Sequence, residues 1–113
     1  MTPVPVTDDM IDEVARRFAL LSDPTRLRIL HTLLEQGEES VTGLAKATGV
    51  ARANVSQHLS RLLSAGMVGR RRVGHSIHYT VADESLAPLC ELVCSAVEER
   101  TKRRAAQLGR RAG

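Results

Sequence analysis

Apolar positions along this chain follow a helical period first, then alternate, then return to the helical period. Ile11, Val14, Ala15 and Phe18 form one stripe, which predicts a helix from Thr7 or Asp8 to about Leu20. Ser22-Asp23-Pro24 is a start signal, with Asp23 as N-cap and Pro24 at the first helical position. The helix it opens reaches about Glu35, carries Leu27, Leu30, Leu33 and Leu34 on one side, and stops at Gly37. A short helix over about Thr42 to Ala47 leads into the turn Thr48-Gly49-Val50, where glycine permits positive φ. The next helix, about Arg52 to Ala65, turns Val55, Leu59, Leu62 and Leu63 inward and leaves Arg52, Asn54, Ser56, Gln57 and Arg61 to solvent; Gly66 ends it. Met67 to Arg72 and Ser76 to Val81 read as two strands about the turn Val73-Gly74-His75, because Ile77, Tyr79 and Val81 alternate. Ser85 caps a last helix with Pro88 in its first turn and a stripe of Leu86, Leu89, Val93, Ala96 and Val97.

The pattern predicts a mainly α fold of about five helices and a small two-stranded antiparallel β-hairpin, in one domain over 8–106. Residues 1–7, rich in proline, and the basic stretch 107–113 are expected to be disordered. The first and last helices carry more apolar surface than one small core needs. Ile11, Val14, Phe18, Leu86, Leu89, Val93 and Val97 are therefore expected to bury against a second copy, giving a homodimer.

Composition sharpens this picture at few points. Aromatic residues are 2% of the chain and tryptophan is absent, so the core is aliphatic. No run of about 18 apolar residues exists and the N-terminus lacks the pattern of a secretory signal, so no membrane span and a cytoplasmic location are expected. Two cysteines are too few for a disulfide framework.

Charge changes the picture more. From Val41 to Ala82 there are 42 residues with Lys46, Arg52, Arg61, Arg70, Arg71 and Arg72 and no carboxylate, whereas the whole chain has a net charge of only +3. A surface cleared of acids and set with arginine suits polyphosphate, because each phosphate contact releases condensed counterions. On a helix–turn–helix, the second helix enters the major groove by its N-terminal half. Arg52 has the fork for guanine, and Asn54 and Gln57 have the donor–acceptor pair for adenine. Ser56, Thr42, Lys46 and Arg61 suit phosphate. Of Arg70, Arg71 and Arg72, at most two face a duplex together, since strand side chains alternate. Glycine-rich phosphate loops, nucleophile elbows and paired acid–base clusters are absent, which excludes the common enzyme classes. RNA binding usually needs stacking platforms, and only Phe18 and Tyr79 are aromatic. The alternative outside nucleic-acid binding is a protein-interaction module, against which the polar face of the fourth helix argues.

The stretches Leu20 to Leu30 (LLSDPTRLRIL), Val55 to Leu62 (VSQHLSRL) and Ala65 to Val68, with Gly74 and Tyr79 in the hairpin, resemble the ArsR/SmtB family of bacterial winged-helix repressors. The resemblance spans about Phe18 to Glu99. It implies a winged helix-turn-helix whose hairpin is the wing, and a homodimer built by the first and last helices. It also implies a pseudo-palindromic operator, released when a metal or another inducer binds. The family often has Ser-His-Gln where this chain has Ser56-Gln57-His58, so His58 is expected to turn toward core or backbone.

What is sensed is less legible. The family's thiol site on the third helix has no counterpart, since Ser40 to Ala47 contains no cysteine. In its last-helix site, Asp83 and Glu99 match, but Ser85 and Ala96 replace the two imidazoles. Asp83 and Glu99 are thus weak candidates for a divalent transition metal such as nickel, cobalt or zinc. Cys90 and Cys94 stand four apart on one helix face and are candidates for thiol or arsenite sensing, with two small buried hydrophobes as the plainer reading. His31, His58, His75 and His78 form no spaced ligand pair on one helix. A partner protein that supplies the signal is a further alternative.

Overall fold

The computed structural model describes residues 4–112. Five helices and three strands follow in the order α1 (Asp8–Leu21), α2 (Pro24–Gln36), β1 (Glu39–Ser40), α3 (Val41–Thr48), α4 (Arg52–Ser64), β2 (Val68–Val73), β3 (Ser76–Val81) and α5 (Leu86–Ala112). Each early boundary has a local cause. Thr7 caps α1 by accepting from Met10 N at 3.2 Å. Asp23 caps α2 by accepting from Arg26 N at 2.9 Å, with Pro24 in the first turn. Ser40 caps α3 by accepting from Gly43 N at 3.1 Å. Residues 4–7 carry no regular structure, and residues 1–3 of the expected N-terminal tail lie outside the described residues.

The described residues divide into two compact units, one ending at Asp83 and the other beginning at Glu84. The core of the first is wholly aliphatic: Ile29, Leu30 and Leu33 of α2, Leu44 of α3, Val55, Leu59 and Leu62 of α4, then Met67 and Val68. Each is at most 2% exposed, and among the described residues no polar or charged side chain is buried. Two expectations shift here. On α2, Ile29 rather than Leu27 joins the core, and Leu27 is 38% exposed. The buried face is set by which residues meet α3 and α4, so the leucine stripe does not define it.

The hairpin also gains a strand. Glu39–Ser40 pairs antiparallel with β3, matching Glu39 with Tyr79 and Ser40 with His78, so the sheet order is β1-β3-β2. A two-residue strand is below the length at which alternation is readable, and its pairing with β3 is non-local. β2 and β3 pair in the register Val68–Val81, Arg70–Tyr79, Arg71–His78 and Val73–Ser76.

The second unit is α5. It stays helical through Ala112, beyond the expected domain end at residue 106, so the tail assigned to 107–113 is helical up to Ala112. Ala105, Ala106, Gln107 and Leu108 are strong helix formers. Two i,i+4 pairs precede them, Glu98 with Lys102 at 3.2 Å and Glu99 with Arg103 at 3.9 Å.

Candidate nucleic-acid interface

The turn between α3 and α4 is made by Thr48 and Gly49. Gly49 takes a left-handed conformation, φ 73°, and its N–H closes on Ala45 O at 2.9 Å. The Thr48 hydroxyl donates to Leu44 O at 2.6 Å and accepts from Val50 N at 3.3 Å, so one side chain ties both sides of the bend. Three residues later α4 starts at Arg52 with Ala51 as N-cap, which provides no side-chain hydrogen bond. The first-turn N–H groups of α4 therefore lack the oxygen that caps α1, α2 and α3. An uncapped, exposed helix N-terminus is an environment that favours an anion.

Arg52, Asn54, Ser56 and Gln57 are all exposed, while Val55 and Leu59 are fully buried. Burial of one stripe thus presents the polar set outward from a fixed helix. His58 departs from that set. It is half-buried, with Nδ1 4.0 Å from Asp23 Oδ2 at the start of α2, as the Ser-Gln-His order led us to expect. The backbone N–H of Arg26 holds the Asp23 carboxyl below the usual carboxylate range, and its partial burial opposes that shift. Thr42 and Lys46 lie exposed on α3. Arg61 lies in the C-terminal half of α4, beside an open groove of about 470 Å³ lined with Leu20, Ser60, Ser64 and Ala65.

The wing arginines differ among themselves. Arg70 and Arg72 share one face of β2, and Arg71 takes the other, paired in register with His78. Arg71 is held by Glu38, Nε to Oε2 and Nη2 to Oε1, both at 3.0 Å. His78 Nδ1 lies 3.0 Å from the same Oε1. This carboxylate lies just outside the acid-free block, and the sequence reading missed it. Only the β1–β3 pairing brings residue 38 beside residues 71 and 78.

The candidate metal residues are otherwise engaged. Arg17 of α1 donates to Asp83, whose side chain is 12% exposed. Glu99 sits beside Arg103. Among the described residues no group of three or more His, Cys, Asp or Glu side chains gathers to hold a metal. With Ser85 and Ala96 in place of imidazoles, these residues do not fit a nitrogen- and oxygen-ligated divalent ion. Cys90 is half-buried and Cys94 exposed, and both are free. Burial pushes the Cys90 thiol up, and the neighbouring Cys94 adds to the shift.

Of the positions expected at a dimer seam, Ile11, Val14 and Phe18 on α1 and Val93 and Val97 on α5 are exposed by 43–60%. Leu89 is half-buried. Leu86 is only 2% exposed, so it is part of the buried set and has almost no surface left for a second copy.

Residues 23–69, from the α2 cap to the first residues of β2, match the family model described as bacterial regulatory protein, arsR family. A probable mercury resistance operon repressor of Streptomyces lividans is 40% identical over 81 residues, which is 72% of this chain and 64% of that protein. The homodimeric winged helix-turn-helix domain of Mb0332 from Mycobacterium bovis, a possible ArsR-family regulator, superposes with a TM-score of 0.75 at 35% identity, over 89% of this chain and 95% of that one. This chain belongs to the arsR family of bacterial regulatory proteins. The antimony-specific transcriptional repressor AntR resembles this arsR-family chain with a TM-score of 0.80 at 33% identity, covering 90% of this chain and 92% of that one. The winged helix-turn-helix read from the sequence is thus the observed fold, with the third strand added. This arsR-family chain spans 64% of the length of its Streptomyces relative. No helix among the described residues is long and apolar enough to cross a membrane.

Proposed function

We propose that this arsR-family chain is a metal-responsive transcriptional repressor that binds an operator as a homodimer. The observation that carries the reading is the N-terminal half of α4: uncapped, free of carboxylates, and presenting Arg52, Asn54, Ser56 and Gln57 from a helix fixed by its buried face. Arg52 takes guanine through its bidentate fork, and Asn54 or Gln57 takes adenine. Ser56, Thr42, Lys46 and Arg61 hold phosphates. Arg70 and Arg72 extend the contact along the wing, since they share a face that Arg71 does not. Family membership and the mercury and antimony repressors it resembles support metal as the effector. The exposed stripes of α1 and α5 and the homodimeric neighbour support the dimer. A dimer places two α4 helices on successive major-groove faces, which matches a pseudo-palindromic site.

The test is operator binding by fluorescence anisotropy across a salt series, with random DNA of equal length as the comparison. Arg52→Ala is expected to weaken operator binding by about 1–3 kcal/mol while barely moving random DNA. Equal loss on both sequences removes Arg52 from base reading, and absence of DNA binding by the unmodified protein overturns the function.

A further inference from the structure

The thiols of α5 are the chemistry this reading leaves unused. Cys90 and Cys94 are free, and they stand four residues apart on an unbroken helix. Side chains so spaced share a face, with Cβ atoms about 5–6 Å apart. A disulfide requires about 3.5–4.5 Å between Cβ atoms. The pair is therefore too wide to close on itself within a regular helix, and of a width that one atom inserted between the sulfurs bridges. That Cys94 is felt at the Cys90 thiol is consistent with the shared face. The acceptor is sorted by what surrounds the pair. Among the described residues no third His, Cys, Asp or Glu joins it as a cluster, so an ion that demands four ligands is not served. Glu91 follows Cys90 but points about 100° around the helix, away from the shared face.

We propose that Cys90 and Cys94 of one α5 helix form a dithiolate site for a thiophilic ion satisfied by two sulfurs, the class that includes Hg(II) and trivalent arsenic or antimony. Thiolate is the soft ligand such ions select. With Hg(II), two S–H bonds break, two S–Hg bonds form and two protons leave. With a trivalent hydroxide, the two departing hydroxides carry those protons away as water. No electron is transferred in either case. The site deepens the metal-responsive reading and depends on it for physiological meaning, but ion binding is measurable without DNA.

The experiment uses the reduced full chain and its Cys90→Ser, Cys94→Ser and double variants. Each is loaded with Hg(II), or with phenylarsine oxide as the trivalent probe, against a large excess of glutathione, which strips ions held by a single thiol. Bound ion per chain and thiolate-to-metal absorption are the readouts, and circular dichroism confirms the fold. The unmodified chain is expected to keep one ion, and each single variant to hold it at least about tenfold more weakly, about 1.4 kcal/mol or more. Cys94 is exposed, so its serine variant tests the site without disturbing packing. The two probes tell which member of the class is held, and retention of either supports the site. Retention as tight in a single variant, one ion per two chains, or loss of both probes from the unmodified chain overturns it. If the ion binds as expected but operator affinity does not change, the site stands and the sensor reading fails.

Discussion

At the scale of single residues, Glu38 alters what the arginine run can do. Its carboxylate occupies the fork of Arg71, so that guanidinium is already partnered when DNA arrives. Such a pair, with Arg71 66% exposed, is worth about 0–1 kcal/mol, weak enough for a phosphate to displace. Glu38→Gln is expected to free Arg71 and to steepen the salt dependence of DNA binding by about 0.9 per phosphate gained. An unchanged slope would show that Arg71 never reaches the backbone. Asp23 carries a second consequence. Its pKa is lowered in the folded state, chiefly by the Arg26 N–H. The stability it adds is therefore fully present above its unfolded value of about 3.9 and is lost as pH falls through the depressed folded value. Asp23→Asn keeps a capping oxygen but removes the ionisation. Thermal melts from neutral to acid pH are expected to fall less steeply for that variant at the acid end. The polar face of α4 was legible because helical phase alone separates Arg52, Asn54 and Gln57 from Val55 and Leu59. Glu38 was not legible, because its partners lie 33 and 40 residues away.

At the scale of elements, α3 depends on its ends. It is eight residues long, too short to hold itself together by propensity. Ser40 caps it, and the Glu39 carboxylate folds over the same end, accepting from Ser40 N at 2.9 Å. A Cβ at Gly43 would overlap that carboxylate, which gives the glycine a packing reason. Ser40→Ala is expected to cost about 1 kcal/mol in chemical denaturation. An unchanged denaturation midpoint would show that the cap adds nothing. Caps and breakers are local signals, and so Asp23-Pro24, Gly37, Gly49 and Gly66 marked boundaries within a residue or two. β1 is the exception, since two residues form a strand only when β3 is beside them.

At the scale of the molecule, the unsettled surface is the apolar stripe on α1. No residue of α1 is buried, and Phe18 is 53% exposed. A homodimer seam is the proposed reason for keeping so much apolar area. Phe18→Glu places a charge in that seam, and sedimentation is expected to show a shift toward monomer with a parallel loss of operator affinity. A variant that remains as associated as the unmodified protein would take Phe18 out of the interface. In contrast, Leu59→Ala acts inside the first unit: with its side chain fully buried, the expected loss is about 2–5 kcal/mol in denaturant titration.

What the sequence determined by itself is what depends on neighbours along the chain. The caps and glycine turns, the period of each apolar stripe, and the carboxylate-free stretch around α4 all act within a few residues. They were enough to specify five helices, a hairpin and a candidate DNA-reading face. The tertiary structure decided which side of α2 is core, the third strand, the Glu38–Arg71–His78 contact and the engagement of Asp83 by Arg17. Each of these joins residues distant in sequence, so burial and pairing exist only once the chain has closed on itself.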